Sequence, residues 1–271
     1  MDIKSFLDHN VVSATGCTEP VAVGYATALA YHSLFGETTN DRGNIQFSTQ
    51  AKEICPNFLE EIIIETDRNT YKNAFAVSIP GTEGKKGITL ASAIGLYCNP
   101  EFELNLFREV SPEIVCKANS LLDKIHIKKS ENLESSNLNI KVTLKYSVDG
   151  QENIAYTQLT GIHDHVYLVK VNRKVVYQSV HPVSQQKDGE NFPETLKQLL
   201  TFAENADSED LERIQKGIEM NLSVAKEGLS ANYGLNTGKT LASLADEEIL
   251  GKSLISEIKI KAAAASDARM G

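Results

Sequence analysis

Gly16-Cys17-Thr18-Glu19-Pro20 sets a thiol at the mouth of a helix. The unpaired N–H groups at a helix start favour negative charge, so this placement predicts a lowered thiol pKa and a thiolate able to attack carbon or bind iron or zinc. The competing reading is a buried, inert cysteine. His163-Asp164-His165 enters a strand, where residues two apart face the same way, so both imidazoles can reach one ligand. Zinc needs a third ligand that the sequence does not identify, and a polar strand entrance is favoured over a metal site. A substrate-facing His165 remains the other reading, since its pKa suits proton transfer near neutrality. Backbone amides in the Pro80-Gly81-Thr82 turn can bind a carboxylate, although spacing alone favours a plain turn. Ser266-Asp267-Ala268-Arg269 follows an alanine run, and Arg269 is either a two-pronged carboxylate binder or half of a solvated charge pair. Gly234 to Thr240 resembles a phosphate loop but has three residues between its glycines where four are required.

These groups need elements to hold them. Val21, Val23, Ala26, Leu29, Ala30 and Leu34 recur at helical spacing and predict a helix from Glu19 to Leu34, capped by Thr18 and ended by Gly36. Leu59 to Thr66 reads as a strand, and Ala74 to Ile79 as a strand-like run into the Pro80 turn. A helix follows from Ile88 to Tyr97. Ser111-Pro112-Glu113 opens a helix with Ile114, Ala118, Leu121, Leu122 and Ile125 on one face and Cys116 off it. Lys128 to Asn137 reads as a polar linker. Beyond it Ile140, Val142, Leu144, Tyr146 and Val148 alternate with polar residues, the mark of a half-buried strand. Asp149-Gly150 turns into a second strand from Ile154 to Leu159, and Val166–Val171 with Val175–Val180 form another hairpin. Helices return at Pro193–Glu204, after Ser208 as a cap, and within Leu241–Ile260. Leu211, Ile214, Ile218, Leu222, Ala225 and Leu229 share one face of the middle one. The expected class is α+β: a mainly helical catalytic-type domain over 1–130 and 190–271, with a small antiparallel β-rich insertion at 138–182.

The chain has 271 residues, a net charge of -9, and 41% hydrophobic and 23% charged residues. That acidity argues against nucleic acid and against an anionic membrane surface as partners. No apolar run reaches membrane-spanning length, and the first residues lack the basic and apolar regions of a signal peptide, so a cytoplasmic location is expected. Cys17, Cys55, Cys98 and Cys116 form no CxxC pair, and a reducing compartment leaves no expectation of disulfides.

Four ordered segments resemble the L-cysteine desulfidase family, which is related to the α chain of iron–sulfur L-serine dehydratases. They are Gly16 to Pro20, Asn73-Ala74 with Ile79 to Thr82, Asn232-Tyr233-Gly234-Leu235, and Ala263 to Met270. The resemblance implies an iron–sulfur-dependent lyase converting L-cysteine to pyruvate, ammonia and sulfide. It implies a [4Fe–4S] cluster with Cys17 as one of three ligands. Glu19, His165 and Asp267 stand as candidates for the base, and Pro80, Gly81, Thr82 and Arg269 for binding the substrate carboxylate. Members of that family continue beyond the Ser-Asp-Ala-Arg-Met motif and carry the other two cluster cysteines there. The resemblance therefore implies a chain lacking its C-terminal part, with those ligands supplied by another chain. An L-serine or other amino-acid ammonia-lyase is the alternative activity. An inactive ligand-binding or dimerising module is the alternative class, and the reading leaves room for a C-terminal partner chain and a homo-oligomer.

Overall fold

The computed structural model describes residues 3–11, 17–35, 39–41, 44–46, 54–129, 138–148, 150–179, 193 and 195–270. Gly16, Gly36, Asp149 and most of the 128–137 linker lie outside them, as does the end of the second hairpin. The chain divides into two compact units, 14–186 and 1–13 with 187–271. Helix α1 (Ile3–Asn10) belongs to the second.

The first unit is built around α2 (Thr18–Phe35). The sequence predicted one buried stripe here. Instead every residue from Pro20 to Ser33 is buried, because α2 is sheathed on all sides. After β1 (Thr39–Asp41) and β2 (Asn44–Gln46), a short hairpin, come β3 (Leu59–Thr66), α3 (Arg68–Ala76), α4 (Ile88–Gly95) and α5 (Pro112–Asn119). Strands β4 (Ile125–Lys129), β5 (Leu138–Val148), β6 (Gln151–Gly161), β7 (Val166–Val171) and β8 (Lys174–Gln178) complete it. The sheet order is β4-β3-β5-β6-β7-β8, with β3 and β4 parallel and the other pairs antiparallel.

The α+β class stands, but the strands are no separate insertion. β3 and β4 join the sheet from before residue 130, and α2 packs on β5, β6 and β7. Lys128 and Lys129, expected in the linker, pair with Glu65 and Thr66 as part of β4. Ile125, expected on a helix face, is the first residue of that strand, since α5 stops at Asn119.

The strand-like run at Ala74 is instead the end of α3. Asp67 decides this: its Oδ1 accepts from the backbone N–H groups of Asn69 (2.9 Å) and Thr70 (3.0 Å), and its Oδ2 from the Thr70 hydroxyl (2.7 Å). A side chain that satisfies two orphan donors nucleates a helix against weak local propensity. Oδ2 also accepts from the Asn139 N–H at 3.0 Å, fastening the helix start to β5. The β7–β8 turn is the tight hairpin expected, with Asn172 (φ 48°) and Arg173 (φ 68°) both left-handed, as a two-residue turn on twisted strands requires.

The second unit adds α6 (Leu196–Glu204), α7 (Ser208–Ser230), α8 (Thr237–Asp246) and α9 (Leu254–Met270). Asp207, not Ser208, caps α7: Asp207 Oδ1 accepts from Asp210 N–H while Asp210 Oδ2 accepts from Asp207 N–H. Ala264 of α9 lies so close to Gly228 and Gly238 that neither position has room for a Cβ. The alanine run thus serves helix packing, and Ser266 to Arg269 continue the same helix.

Candidate thiol–carboxylate site

Cys17 immediately precedes α2 and is buried, 5% exposed. Its Sγ donates to Glu19 Oε2 at 2.5 Å. Asn73, on α3, donates through Nδ2 to Glu19 Oε1 at 2.6 Å. One carboxylate is therefore held between a thiol and an amide from two helices. The Asp67 cap positions Asn73, because without it the segment carrying Asn73 has no reason to be helical.

The electrostatics reverse the expectation of a ready thiolate. Burial pushes the Cys17 thiol up to about 12, and the adjacent Glu19 carboxylate adds to the rise. The helix-start N–H of Glu19 does pull it down, as the sequence suggested, but loses to both. The proton sits on sulfur. Burial also works against the charged form of Glu19, yet the hydrogen bonds from Cys17 and Asn73, its own N–H and the charge of His163 outweigh it and leave the Glu19 pKa lowered.

His163 stands in the β6–β7 turn. Its neighbour Asp164 acts on a second buried group. Burial, then Glu103 and Asp164, raise the Tyr25 hydroxyl, and burial, then Asp164, raise Glu103. Glu103 has a left-handed φ of 45°, a conformation a glutamate adopts only when its surroundings enforce it. Asn73, His163, Tyr25 and Glu103 were not singled out as site residues from sequence. His163 was one step from being found, since the two-apart rule flagged both histidines.

Several of the other candidates make structural contacts of their own. His165 contacts Thr160 O through Nδ1 (3.1 Å) and Ser179 Oγ through Nε2 (3.2 Å), so both ring nitrogens hold strands together. Thr82 donates its hydroxyl to Ile79 O (2.7 Å) and locks the Pro80 turn, where Gly81 has a φ of 76° with Val110 packed against it. Gly81 and Thr82, with Lys85, Cys116 and Asn119, line an open cavity of about 430 Å³. Asp267 and Arg269 belong to the second unit, and Asp267 Oδ2 accepts from Gly238 N–H at 2.9 Å, a helix-packing role.

Among the described residues no group of three or more His, Cys, Asp or Glu side chains could hold a metal ion. Cys98 is buried and donates to Ile94 O at 3.3 Å, while Cys116 is exposed.

The fold and site define an α+β protein with a buried thiol–carboxylate–amide centre at the start of its central helix. By sequence it is similar to proteins named UPF0597. The UPF0597 protein of Elusimicrobium minutum is 31% identical over 274 residues, covering 99% of this chain and 57% of that protein. That of Desulfatibacillum aliphaticivorans is 31% identical over 278 residues, covering 99% and 58%. That of Vibrio parahaemolyticus is 29% identical over 264 residues, covering 96% and 56%. No family model matches the chain. These findings overturn the assignment to the L-cysteine desulfidase family, because relatives matched along nearly the whole chain carry a different name. The chain spans a little under three-fifths of the relatives it matches. No helix among the described residues is long and apolar enough to cross a membrane.

Proposed function

We propose that the chain carries the proton-transfer centre of a lyase that eliminates the β-substituent of a small amino acid, releasing pyruvate and ammonia. L-Cysteine is the first-choice substrate, giving sulfide, and L-serine the alternative. The observation that supports this reading is Glu19 held as a carboxylate by the Cys17 thiol and the Asn73 amide. β-Elimination requires a base that removes the Cα proton, and a carboxylate fixed in direction and kept ionised at neutrality suits that task. Asn73 fixes the carboxylate plane. Cys17 covers the other oxygen until substrate displaces the thiol. An iron–sulfur cluster enters this reading only with Cys17 as a single ligand and the remaining ligands from another polypeptide.

The test is pyruvate release from L-cysteine and from L-serine, measured anaerobically for the wild type and for Glu19→Gln. The expected result is turnover of one of them, reduced on the order of a hundredfold or more by Glu19→Gln. Absence of pyruvate from both substrates overturns the proposal. A second reading, an association module without catalysis, is favoured by the exposed apolar face of α7. It predicts that Cys17→Ser and Glu19→Gln leave ligand binding and association untouched.

A further inference from the structure

We infer that one apolar face of α7 is the docking surface for a further polypeptide segment, the counterpart of the part of its relatives that this sequence does not match. Leu211, Ile214, Ile218 and Leu222 follow one another at helical spacing and form a single stripe. All four are exposed, at 56%, 39%, 54% and 47%. The same stripe is closed further along, where Ala225 is buried against its own unit. The opposite face of α7 is already taken by α1: Lys4 pairs with Glu209, and Arg213 holds Asp8 and the carbonyl of Leu7. Leu254 and Ile258, one turn apart on α9, which packs on α7, add exposures of 72% and 57%.

A monomer rarely leaves a helical apolar stripe of this kind in water, and a helix of 23 residues with one such stripe forms to bury it. The choice of occupant follows from length and charge. Roughly two-fifths of each relative lies outside the part matched here. A second copy of this chain would instead bring another net charge of -9 to the same contact, which opposes self-association. The inference shares with the proposed function the idea of a further segment, but its test reads binding and needs no activity.

The part of the Elusimicrobium minutum protein not matched by this chain is expressed separately. Its binding to the full chain is measured by calorimetry, with light scattering to fix stoichiometry. The expected result is a one-to-one complex, weakened at least tenfold by the double change Ile218→Glu and Leu222→Glu. Helix content and thermal midpoint of the free variant should stay at the wild-type values, since both side chains are exposed. No binding, or binding indifferent to the double change, overturns the inference. So does a homodimer that the double change dissociates, which would make a second copy the occupant. Pyruvate assays play no part, so failure here and failure of the lyase reading are separate results.

Discussion

The Cys17 thiol donates a hydrogen bond to Glu19 at 2.5 Å, and burial together with this carboxylate keeps the sulfur protonated at a helix start where a thiolate was expected. Burial and a neighbouring carboxylate together exceed the pull of the helix amides. Raised to about 12 in the fold against about 9 in an open chain, the thiol binds a proton in the native state over a range where the unfolded chain has lost it. Its contribution to stability is fully present below about pH 9 and is lost as pH rises from there toward 12. Urea midpoints should therefore fall between pH 8 and pH 10, and by less in Cys17→Ser. Cys98, also pushed up to about 12 by burial, supplies a remaining part of the fall. Equal pH slopes for wild type and Cys17→Ser would show that the contact does not hold the proton. Glu19→Gln should lower the thiol pKa and speed alkylation by iodoacetamide at pH 8.

Asn73 offers the complementary case. Its amide donates to the Glu19 oxygen that Cys17 leaves open. Asn73→Leu strips one donor from a partly buried carboxylate, a loss of about 1.5–3 kcal/mol for a hydrogen bond to a charged group. Because the Glu19 pKa is lowered by this bond, the stabilisation is present above the unfolded carboxylate pKa and disappears as pH falls through the folded value. Urea melts at pH 7 and under strongly acid conditions measure both: a large difference between wild type and Asn73→Leu at neutrality, converging in acid. A difference that persists in acid would assign the effect to packing.

His32 predicts a second acid response, away from the site. It lies near the end of α2, 5% exposed, with Nδ1 lacking a hydrogen-bond partner. Burial lowers its pKa, more than the hydrogen bond with the Cys98 backbone raises it. A histidine buried neutral must take up a proton on unfolding, so stability is full above about pH 6.5 and declines below it. His32→Phe should flatten the thermal midpoint between pH 7 and pH 5 even if it lowers the value at pH 7. An unchanged slope would mean that another group sets the acid limb.

Period and turn chemistry made β5 through β8 legible, because the alternation from Ile140 to Val148 and the paired left-handed residues after β7 are local signals. The helix at α3 was hidden. What starts it is one carboxylate, Asp67, whose second oxygen is satisfied by Asn139, some seventy residues away. Cys17 and Glu19 stood out because both sit at one helix start. Asn73 stood in one of the four ordered segments, but nothing in the sequence says that its amide reaches the Glu19 carboxylate. The exposed stripe on α7 is the reverse case: the spacing predicted the face, and only the structure shows that nothing among the described residues of its own unit covers it.

Gly95 and Gly217 should answer the same substitution with opposite signs. Gly95 ends α4 against α2, and a Cβ there would fall on the carbonyl of Gly24, backbone that cannot swing aside. Nearby, the Thr27 and Ser92 hydroxyls hydrogen-bond at 2.8 Å, so separating the helices would also break a buried pair. Alanine gains about 1 kcal/mol of helix propensity over glycine. Forced expansion of a packed contact costs about 3 kcal/mol, and here the obstacle is main chain, so the loss prevails. Gly217 lies within α7 with nothing near its missing Cβ. There alanine meets no obstacle, and Gly217→Ala should stabilise by about 0.5–1 kcal/mol. Urea denaturation of the two variants decides it: a lowered midpoint, or no folded protein, for Gly95→Ala, and a raised one for Gly217→Ala. A neutral Gly95→Ala would mean that α2 and α4 do not pack this closely.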